Sequence, residues 1–232
     1  MKLPATLYPG ILIRRYQRFL ADVRLRSGET VTVHCPNSGS MKGCAAPGSE
    51  VLLSRSDNPK RKHPFTWELV RANGVWVGIN TGRPNMLVHE AISEGKIPEL
   101  AGYTEIRPEV RYGANSRIDV LLSGPAGPCY VEVKNVTLVD GERALFPDAV
   151  TVRGQKHLRE LMEVVRNGGR GVIFFVVQRE DAQSLSPADT IDPEYGNLLR
   201  QAIRNGVEAL AYQAAVSPRE IYLTRRLPVT ME

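Results

Sequence analysis

Apolar and polar residues alternate in short segments through the first third of the chain. This period of two predicts β-strands at residues 11–18, 19–26, 30–35, 50–55, 66–72 and 75–81. Turn-forming pairs at Ser27-Gly28 and Asn73-Gly74 separate some of these segments. Short strands at such close spacing favour a small Greek-key β-barrel of the OB type.

Beyond residue 82 the pattern becomes a mixture of helical and strand periods. Apolar spacing predicts helices at 84–95 and 153–167 and through 198–203, with a loop at 139–150. The apolar run 171–177 indicates a strand buried on both faces, and further strands are expected at 207–212 and 221–224. We therefore predict a mixed α+β chain, with an OB-like barrel at 1–81 and a domain with a mixed central sheet at 82–232.

Two alternating segments, 117–122 and 129–136, flank the turn sequence 123–128 and predict a β-hairpin. Symmetric closure of this turn places Asp119 opposite Glu132, and Arg117 opposite Lys134. Like charges that face each other directly destabilise a sheet. A shift of one residue would instead put Asp119 on the other face, where the hairpin would be an ordinary solvated one.

A divalent cation would relieve the conflict between the two carboxylates. Mg²⁺ is commonly held by one or two carboxylates together with waters and substrate phosphates. Lys134 lies on the same face as Glu132, where it could orient or deprotonate a metal-bound water, and Arg117 is placed for a phosphate contact. The hairpin therefore predicts a phosphodiesterase-like metal site.

Positive charge is concentrated in the predicted barrel. Residues 1–80 carry 12 Lys and Arg against 5 Asp and Glu, whereas residues 81–232 carry 18 against 20. A basic domain beside a phosphodiesterase-like hairpin favours nucleic-acid binding. The candidate phosphate contacts are Arg14, Arg15, Arg18, Arg24, Arg26, Arg55, Lys60, Arg61, Lys62 and Arg71, and the candidate stacking residues are Tyr16, Phe65 and Trp67. The alternatives are a solubilising loop at 60–62 and aromatic side chains that belong to the core.

Composition places the chain among globular proteins, since 42% of its 232 residues are hydrophobic. No run approaches the roughly 20 apolar residues of a membrane span, and the N-terminus lacks the apolar run of a signal peptide, so we expect a cytoplasmic location. The three cysteines, Cys35, Cys44 and Cys129, are expected to be reduced and mostly buried. The alternative is a zinc site formed by His34, Cys35, Cys44 and His63.

Six sequence segments together resemble the bacterial sugar fermentation stimulation protein A family across nearly the whole chain. The segments are Phe19-Leu20-Ala21-Asp22-Val23, His34-Cys35-Pro36-Asn37-Ser38-Gly39, Ser116-Arg117-Ile118-Asp119, Glu132-Val133-Lys134, Phe146-Pro147-Asp148-Ala149-Val150 and Arg153-Gly154-Gln155-Lys156-His157-Leu158. The resemblance implies an OB-like domain joined to a restriction-endonuclease-like domain of the PD-(D/E)xK type. It also implies DNA binding without sequence preference and a regulatory link to sugar (maltose) metabolism.

The same resemblance implies roles for individual residues. Asp119 would be the central metal-binding acid, Glu132 the second acid and Lys134 the catalytic lysine. Glu90 would be the helix-borne acid that completes the metal shell, with Glu94 and Glu109 as competitors. Ile118 stands where the motif has proline.

Gln155 and Lys156 would contact the substrate from the helix after the hairpin. The implied cofactor is Mg²⁺ or Mn²⁺, with no organic cofactor. Two functions remain open: a metal-dependent nuclease, and a non-catalytic DNA-binding regulator. DNA is the expected partner, RNA is left open, no membrane partner is expected, and exposed sheet edges could support a homodimer.

Overall fold

A computed structural model describes residues 1–112 and 116–231 of the chain. Its first unit is built from β1 (Tyr8–Tyr16), β2 (Leu20–Leu25), β3 (Thr30–His34), β4 (Glu50–Arg55), β5 (Phe65–Ala72) and β6 (Val75–Gly78). The strands follow the order β3-β2-β1-β4-β5-β6. A parallel contact between His34 of β3 and Thr66 of β5 closes the first five strands into a barrel. The predicted OB-like barrel is thereby confirmed.

The barrel core shows why alternating segments fold in this way. Inward-facing apolar residues of neighbouring strands, such as Leu12, Val23 and Leu53, are no more than 1% exposed. Trp67 is also fully buried, and its ring nitrogen donates to the carbonyl of Leu69 at 2.9 Å. The expectation that Trp67 forms a stacking platform is therefore wrong, because burial of its large apolar surface is what stabilises this core.

The second unit contains three α-helices, one short 3-10 helix (Pro98–Leu100) and nine strands within the described residues. The helices are α1 (Pro84–Ser93), α2 (Val152–Arg166) and α3 (Pro193–Arg204). The strands are β7 (Glu105–Tyr112), β8 (Ser116–Ser123), β9 (Cys129–Val136), β10 (Leu138–Asp140), β11 (Arg143–Phe146), β12 (Arg170–Val177), β13 (Ser184–Pro187), β14 (Glu208–Val216) and β15 (Ile221–Leu227).

A mixed six-stranded sheet forms the centre of the second unit, in the order β15-β14-β12-β9-β8-β7. The three middle strands β14, β12 and β9 are parallel, and the outer neighbours are antiparallel. Helix α1 packs against the face that includes Phe174, whereas α2 and α3 pack against the face that includes Phe175. Strand β12 is therefore buried on both sides, as its continuous apolar sequence predicts.

The structure differs from the sequence expectations in three places. The edge strand β7 was not expected. Part of the expected loop 139–150 forms β10 and β11, which join β13 in a second, three-stranded sheet. At the N-terminus, Lys2 forms a bridge with Glu220 and Leu3 packs into the core around α1, so the first residues lie on the second unit rather than on the barrel.

The cysteines are free and buried, as expected. Cys35 contacts the sulfur of Met41, and Cys44 donates to the carbonyl of Thr137. Within residues 1–112 and 116–231 no group of three or more His, Cys, Asp or Glu side chains is arranged to hold a metal, which removes the four-residue zinc alternative. The same residues include no helix that is long and apolar enough to cross a membrane.

Glu68 joins the barrel to the second unit through buried polar contacts. This β5 side chain is 3% exposed and accepts from Ser54 at 2.7 Å, from Asn80 at 2.8 Å and from the guanidinium of Arg83, directly before α1, at 2.8 Å. Burial raises the pKa of the Glu68 carboxyl, but the contacts with Arg83, Asn80 and Ser54 outweigh burial and hold the pKa below its ordinary value. The ionised form is therefore the one that stabilises the junction.

Replacement of Glu68 by glutamine is expected to reduce the free energy of unfolding at pH 7 by about 3 kcal/mol, because it leaves the partly buried Arg83 without a counterion. Because the pKa of Glu68 is lowered in the folded protein, the difference in unfolding free energy between variant and parent should have its full size above pH 4.5. It should shrink as the pH falls through the folded-state pKa. Urea unfolding of Glu68→Gln and the parent from pH 3 to pH 8 measures this. Glu163→Gln, which alters an exposed ion pair, should change stability by less than about 0.5 kcal/mol; equal losses in both variants would contradict the prediction.

Candidate metal centre

A cleft of about 520 Å³ lies between the barrel and the second unit. The barrel side contributes Arg18 and the loop 37–39. The second unit contributes the first turn of α1, the facing ends of β8 and β9, and the segment 145–153. Asp119, Glu132 and Lys134 all line this cleft, so the structure brings the three predicted hairpin residues together.

The hairpin has the predicted register, but its ladder stops just before the carboxylates. Val120 pairs with Val131, and Leu122 pairs with Cys129. The next pair in this register would be Asp119 and Glu132, and the structure does not form it as a ladder pair. On the other side of β8, pairing with β7 also omits Asp119, beside the left-handed backbone of Glu109 at φ 52°. The predicted pair of Arg117 with Lys134 is therefore wrong, because β8 has left β9 there and Arg117 pairs with Arg111 of β7.

Asp119 occupies the gap left by the interrupted ladder. One oxygen of its carboxylate, Oδ2, accepts from the backbone amide of Val133 at 2.8 Å. The other, Oδ1, accepts from the side-chain amide of Asn85 in the first turn of α1, also at 2.8 Å. The carboxylate thus replaces a strand partner for Val133 and is fixed from two elements of the fold.

Glu132 is the most deeply buried acid of the cleft, at 2% exposure. Its Oε1 atom accepts from the Lys134 ammonium at 2.7 Å and contacts Nδ1 of His157 on α2. Lys134 also lies 3.2 Å from the same ring nitrogen. The second oxygen, Oε2, is buried and has no hydrogen-bond partner among the described residues. A buried carboxylate oxygen without a partner is costly, so this atom is suited to accept a ligand.

The two carboxylates differ electrostatically. Burial raises the pKa of Asp119, and the nearby charge of Glu132 raises it further, so that the pKa lies above its ordinary value. For Glu132, burial also acts upward on the pKa, but His157 and Lys134 outweigh it and hold the pKa below its ordinary value. The cleft thus has one well-compensated anion beside one whose ionised form needs a further positive charge.

These donors fit a hard divalent cation that keeps part of its water shell. Mg²⁺ sites typically use one or two protein carboxylates, and the cleft offers two. The charge of Asp119 is incompletely compensated, and Glu132 has an oxygen without a partner. They do not form a complete protein cage of three or more acidic or imidazole ligands within 1–112 and 116–231. Waters or a substrate phosphate would have to supply the remaining positions.

The structure does not bring Glu90 to this cleft. Its carboxylate pairs with the N-terminal amine of Met1 at 2.8 Å, and Glu90 is absent from the cleft lining. The helix-borne residue that reaches Asp119 is Asn85 instead. The difference follows from helical spacing, because residues 85 and 90 are five positions apart on α1 and project from different sides. Neither Glu94 nor Glu109 lines the cleft.

Gln155 and Lys156 also lie outside the cleft lining. The Gln155 amide is 9% exposed and donates to both carboxylate oxygens of Asp192, the N-cap residue of α3, at 3.0 and 3.2 Å. Lys156 is on the outer face of α2, 3.5 Å from Glu160. The expected substrate contacts of these two residues stay a prediction that does not involve the cleft lining, to which α2 presents Arg153 and His157.

His157 and Asn85 are the site residues that the sequence analysis missed. The sequence places His157 on the flank of an amphipathic helix, and Asn85 directly after the proline that begins another. Asn85 lies outside the six segments that carry the family resemblance, and His157 lies within one of them but was assigned no role there. An available signal was the i, i+4 spacing of Arg153 and His157, which puts both side chains on one helical face.

Many of the predicted phosphate contacts in the barrel are used within the protein. Arg15 donates to four backbone carbonyls, those of Arg18, Asn37, Gly39 and Ser40, and so fixes the cleft loop. Arg14 pairs with Asp22 at 2.8 Å and lies over the ring of Tyr16, whose hydroxyl donates to Asp22. Arg18 is exposed and lines the cleft, as does Arg153.

The other candidate cations lie away from the cleft. Arg24 and Arg26 border a separate depression beside Trp76. Arg61 donates to the hydroxyl of Thr66 at 3.1 Å, and Lys60 and Lys62 are exposed around it. The remaining two cations contact aromatic rings, Arg55 over Phe65 and Arg71 over Trp76. Arg117 is exposed and lies 3.8 Å from Glu109.

Comparisons with known proteins agree on one family along the length of the chain. Residues 13–79 match the family model described as the SfsA N-terminal OB domain, and residues 82–220 match the sugar fermentation stimulation protein RE domain. The chain is 71% identical over 231 residues to the sugar fermentation stimulation protein homolog of Pelobacter propionicus, and 70% identical over 232 residues to that of Geobacter metallireducens, with complete coverage of each chain. It is also similar to the solved structure of Pyrococcus furiosus SfsA in complex with Ca²⁺, at 29% identity and a TM-score of 0.89 over 99% of both chains.

Asp119→Asn is expected to raise the thermal midpoint of the metal-free protein at pH 7 to 8. The folded-state pKa of Asp119 is raised, so ionisation costs stability as the pH rises through that pKa, and asparagine removes the cost. The advantage should disappear below about pH 4, where the carboxyl is protonated in both states. Differential scanning calorimetry in EDTA across this range tests the prediction. Asp57→Asn, at an exposed loop position, is the control and should show no such pH dependence.

Proposed function

The chain belongs to the sugar fermentation stimulation protein family, and we propose that its cleft is a divalent-metal centre that hydrolyses phosphodiester bonds in DNA. The observation that carries this proposal is the pair of recessed carboxylates, Asp119 and Glu132, with Lys134 held 2.7 Å from the second of them. An acid pair beside a lysine is the donor set that metal-dependent phosphodiester hydrolysis requires. RNA is the alternative substrate, and the cleavage assay below includes it.

Asp119 and Glu132 would hold the metal, Mg²⁺ or Mn²⁺ in the cell. When bound, the metal polarises the phosphate and lowers the pKa of a coordinated water. The Ca²⁺ complex of the Pyrococcus furiosus relative supports divalent-ion binding in this family. In this chain, Asn85 and the amide of Val133 each donate to one oxygen of the Asp119 carboxylate, which fixes its direction and leaves a second lone pair on each oxygen for the metal.

Lys134 is placed to act on the reacting phosphate. Its side chain is 12% exposed and lies beside the two acids, from where its ammonium would donate to a phosphate oxygen as negative charge accumulates there. Glu132 and His157 hold the side chain in position. Arg153, whose guanidinium lies 3.4 Å from Nε2 of His157, extends the positive side of the cleft towards solvent.

The barrel supplies the second part of the proposed function, which is retention of the nucleic acid. Arg18 from the barrel and Arg153 from α2 border the cleft from its two sides. OB-type barrels commonly bind nucleic-acid strands with a positive groove. Contacts from these two arginines would hold a backbone across the carboxylates without reading base sequence, because phosphate contacts position a strand and base contacts specify it.

The alternative function is a DNA-binding regulator of sugar metabolism without catalysis. One observation favours it: the carboxylates are not accompanied by a third acidic or imidazole metal ligand within the described residues. Under this alternative, Lys134 and His157 serve to neutralise Glu132, and metal is not needed for binding. The two functions differ in their response to EDTA.

Asp119→Asn and Lys134→Met are each expected to lower metal-dependent cleavage of end-labelled DNA by at least about 100-fold, the size of effect associated with loss of one proton-transfer or charge-stabilising group. The assay uses Mg²⁺, Mn²⁺ and EDTA with single-stranded and duplex DNA and with RNA. The matched controls are Glu94→Gln and Lys96→Met, which alter a second Glu-x-Lys pair that is exposed and lies outside the cleft.

Retention of full cleavage by Asp119→Asn, or equal losses in the control pair, would contradict catalysis at this site. Binding that survives EDTA and both cleft substitutions, without cleavage under any condition, would support the regulatory alternative. Circular dichroism of each variant separates loss of folding from loss of activity.

Arg18→Ala combined with Arg153→Ala is expected to weaken DNA binding and to reduce the slope of log K against log salt by about two, one for each phosphate contact removed. Fluorescence anisotropy in EDTA between 50 and 300 mM salt measures both quantities. The comparison variant is Lys60→Ala with Lys62→Ala, which removes the same charge from the exposed loop. If only this loop variant changed the slope, the backbone would run over the loop and not across the cleft.

A further inference from the structure

Large apolar side chains are exposed at the mouth of the cleft. Six such side chains are more than a third exposed among the residues that the structure describes, and the two most exposed, Val150 at 67% and Val152 at 72%, both line the cleft. Two others directly adjoin cleft-lining residues: Phe19, 48% exposed, follows Arg18, and Met86, 52% exposed, follows Asn85. We call these four residues the apolar rim.

The two valines are held in place by the backbone between them. Thr151 caps α2, because its hydroxyl accepts from the amide of Gly154 at 3.1 Å. Its own amide donates to the buried carboxylate of Asp192 at 2.8 Å. These contacts fix residue 151, so the apolar side chains on either side of it cannot turn inward to join the core. Isolated exposed apolar residues need no explanation, but a fixed group at a site entrance does.

Phe19 is likewise carried by an anchored segment. Its carbonyl accepts from the amide of Cys35 at 2.7 Å, two residues before the cleft loop 37–39. The carbonyl of the preceding residue, Arg18, accepts from the Arg15 guanidinium that also holds this loop. The barrel therefore carries an exposed aromatic side chain directly next in sequence to Arg18, which lines the cleft, while Phe19 itself lies outside the lining.

Cationic side chains adjoin apolar ones along the rim. Arg18 adjoins Phe19 in sequence, and Arg153 adjoins Val152, while the carboxylates and Lys134 lie within the cleft. An occupant that satisfies this arrangement must offer flat apolar faces at a short distance from negative charges. An unpaired nucleic-acid strand does so, because its bases have open faces and its phosphates lie alongside. In a duplex those faces are stacked inside, so only the backbone and the base edges in the grooves can be contacted.

We propose that the cleft selects an unpaired nucleic-acid strand, either a single-stranded segment or a frayed end, an inference that rests on the proposed function. The bases of the strand would pack on the apolar rim while Arg18 and Arg153 contact its phosphates. Contacts of this kind tolerate any base, because every base has an apolar face. Selection would then come from strand separation and not from sequence. Duplex DNA would bind through its phosphates alone.

The test measures affinity in EDTA, so that it does not depend on cleavage. A fluorescein-labelled 12-nucleotide oligothymidylate and a blunt hairpin duplex of the same charge are titrated by anisotropy. Phe19→Ser and the double variant Val150→Ser with Val152→Ser are each expected to bind the oligothymidylate about tenfold more weakly, with duplex binding changed less than twofold. The control is Tyr222→Ser, which removes an aromatic residue 43% exposed on β15 and outside the cleft lining.

Three outcomes would overturn the proposal: unchanged oligothymidylate affinity in both rim variants, an equal loss in the control, or an equal loss for the duplex. Because the rim side chains are exposed, their replacement by serine should leave the thermal midpoint within a few degrees of the parent, which calorimetry verifies. Failure here is distinct from failure of the nuclease assignment. If duplex DNA is cleaved with metal and the rim variants bind like the parent, the nuclease proposal stands and strand selection is rejected. If the rim variants bind more weakly but no DNA is cleaved, strand selection stands and the nuclease proposal is rejected.

Discussion

A buried carboxylate, Glu132, and a half-buried one, Asp119, lie together where the ladder between β8 and β9 ends, and the polar contacts around the cleft are arranged about them. An uncompensated charge removed from water is expensive, so each carboxylate must find partners nearby. Glu132 has Lys134 from its own strand and His157 from α2, and Asp119 has the Val133 amide and Asn85 from α1. One hairpin thereby fixes where both flanking helices present their polar residues.

The barrel is part of the same construction and is more than an attached binding module. Its loop reaches the segment 145–153 of the second unit through Asp148, which accepts from the amide of Met41 at 2.8 Å and from the hydroxyl of Ser40. The close approach leaves no room for a side chain at residue 39, since a Cβ atom on Gly39 would lie 2.5 Å from the Asp148 carboxylate. Together with the Glu68 to Arg83 contact, these ties make the cleft walls rigid from both sides. For the proposed hydrolysis, such ties between the two units would hold a flexible strand in one geometry relative to the carboxylates.

The hairpin was predictable because two local rules agree. The period of two assigns faces, and a proline- and glycine-containing turn centres the register, so the match of Val120 with Val131 and of Leu122 with Cys129 follows from sequence alone. What the rules could not give is the point where the ladder ends. That point depends on a left-handed residue in β7, a strand that the sequence analysis did not identify, and it turns a predicted ladder pair into an open cleft. His157 and Asn85 were missed for a related reason: both act through tertiary contacts, and spacing within a helix shows which residues share a face, as for Arg153 and His157, but not what that face contacts.

Many basic side chains of the barrel are engaged in contacts within the protein, so the net charge of the sequence overstates the positive charge available to a nucleic acid. The excess of arginine and lysine in residues 1–80 correctly indicated a basic domain, but much of that charge is used internally. Arg15 supports a loop and Arg14 neutralises Asp22, so neither guanidinium is placed primarily for phosphate. Arg18 differs from both because its side chain is exposed at the cleft, beside an exposed aromatic residue. An interface inferred from composition would extend over the whole barrel, whereas the proposed interface lies at the edge that faces the carboxylates, where the proposed binding and hydrolysis would involve the same phosphate.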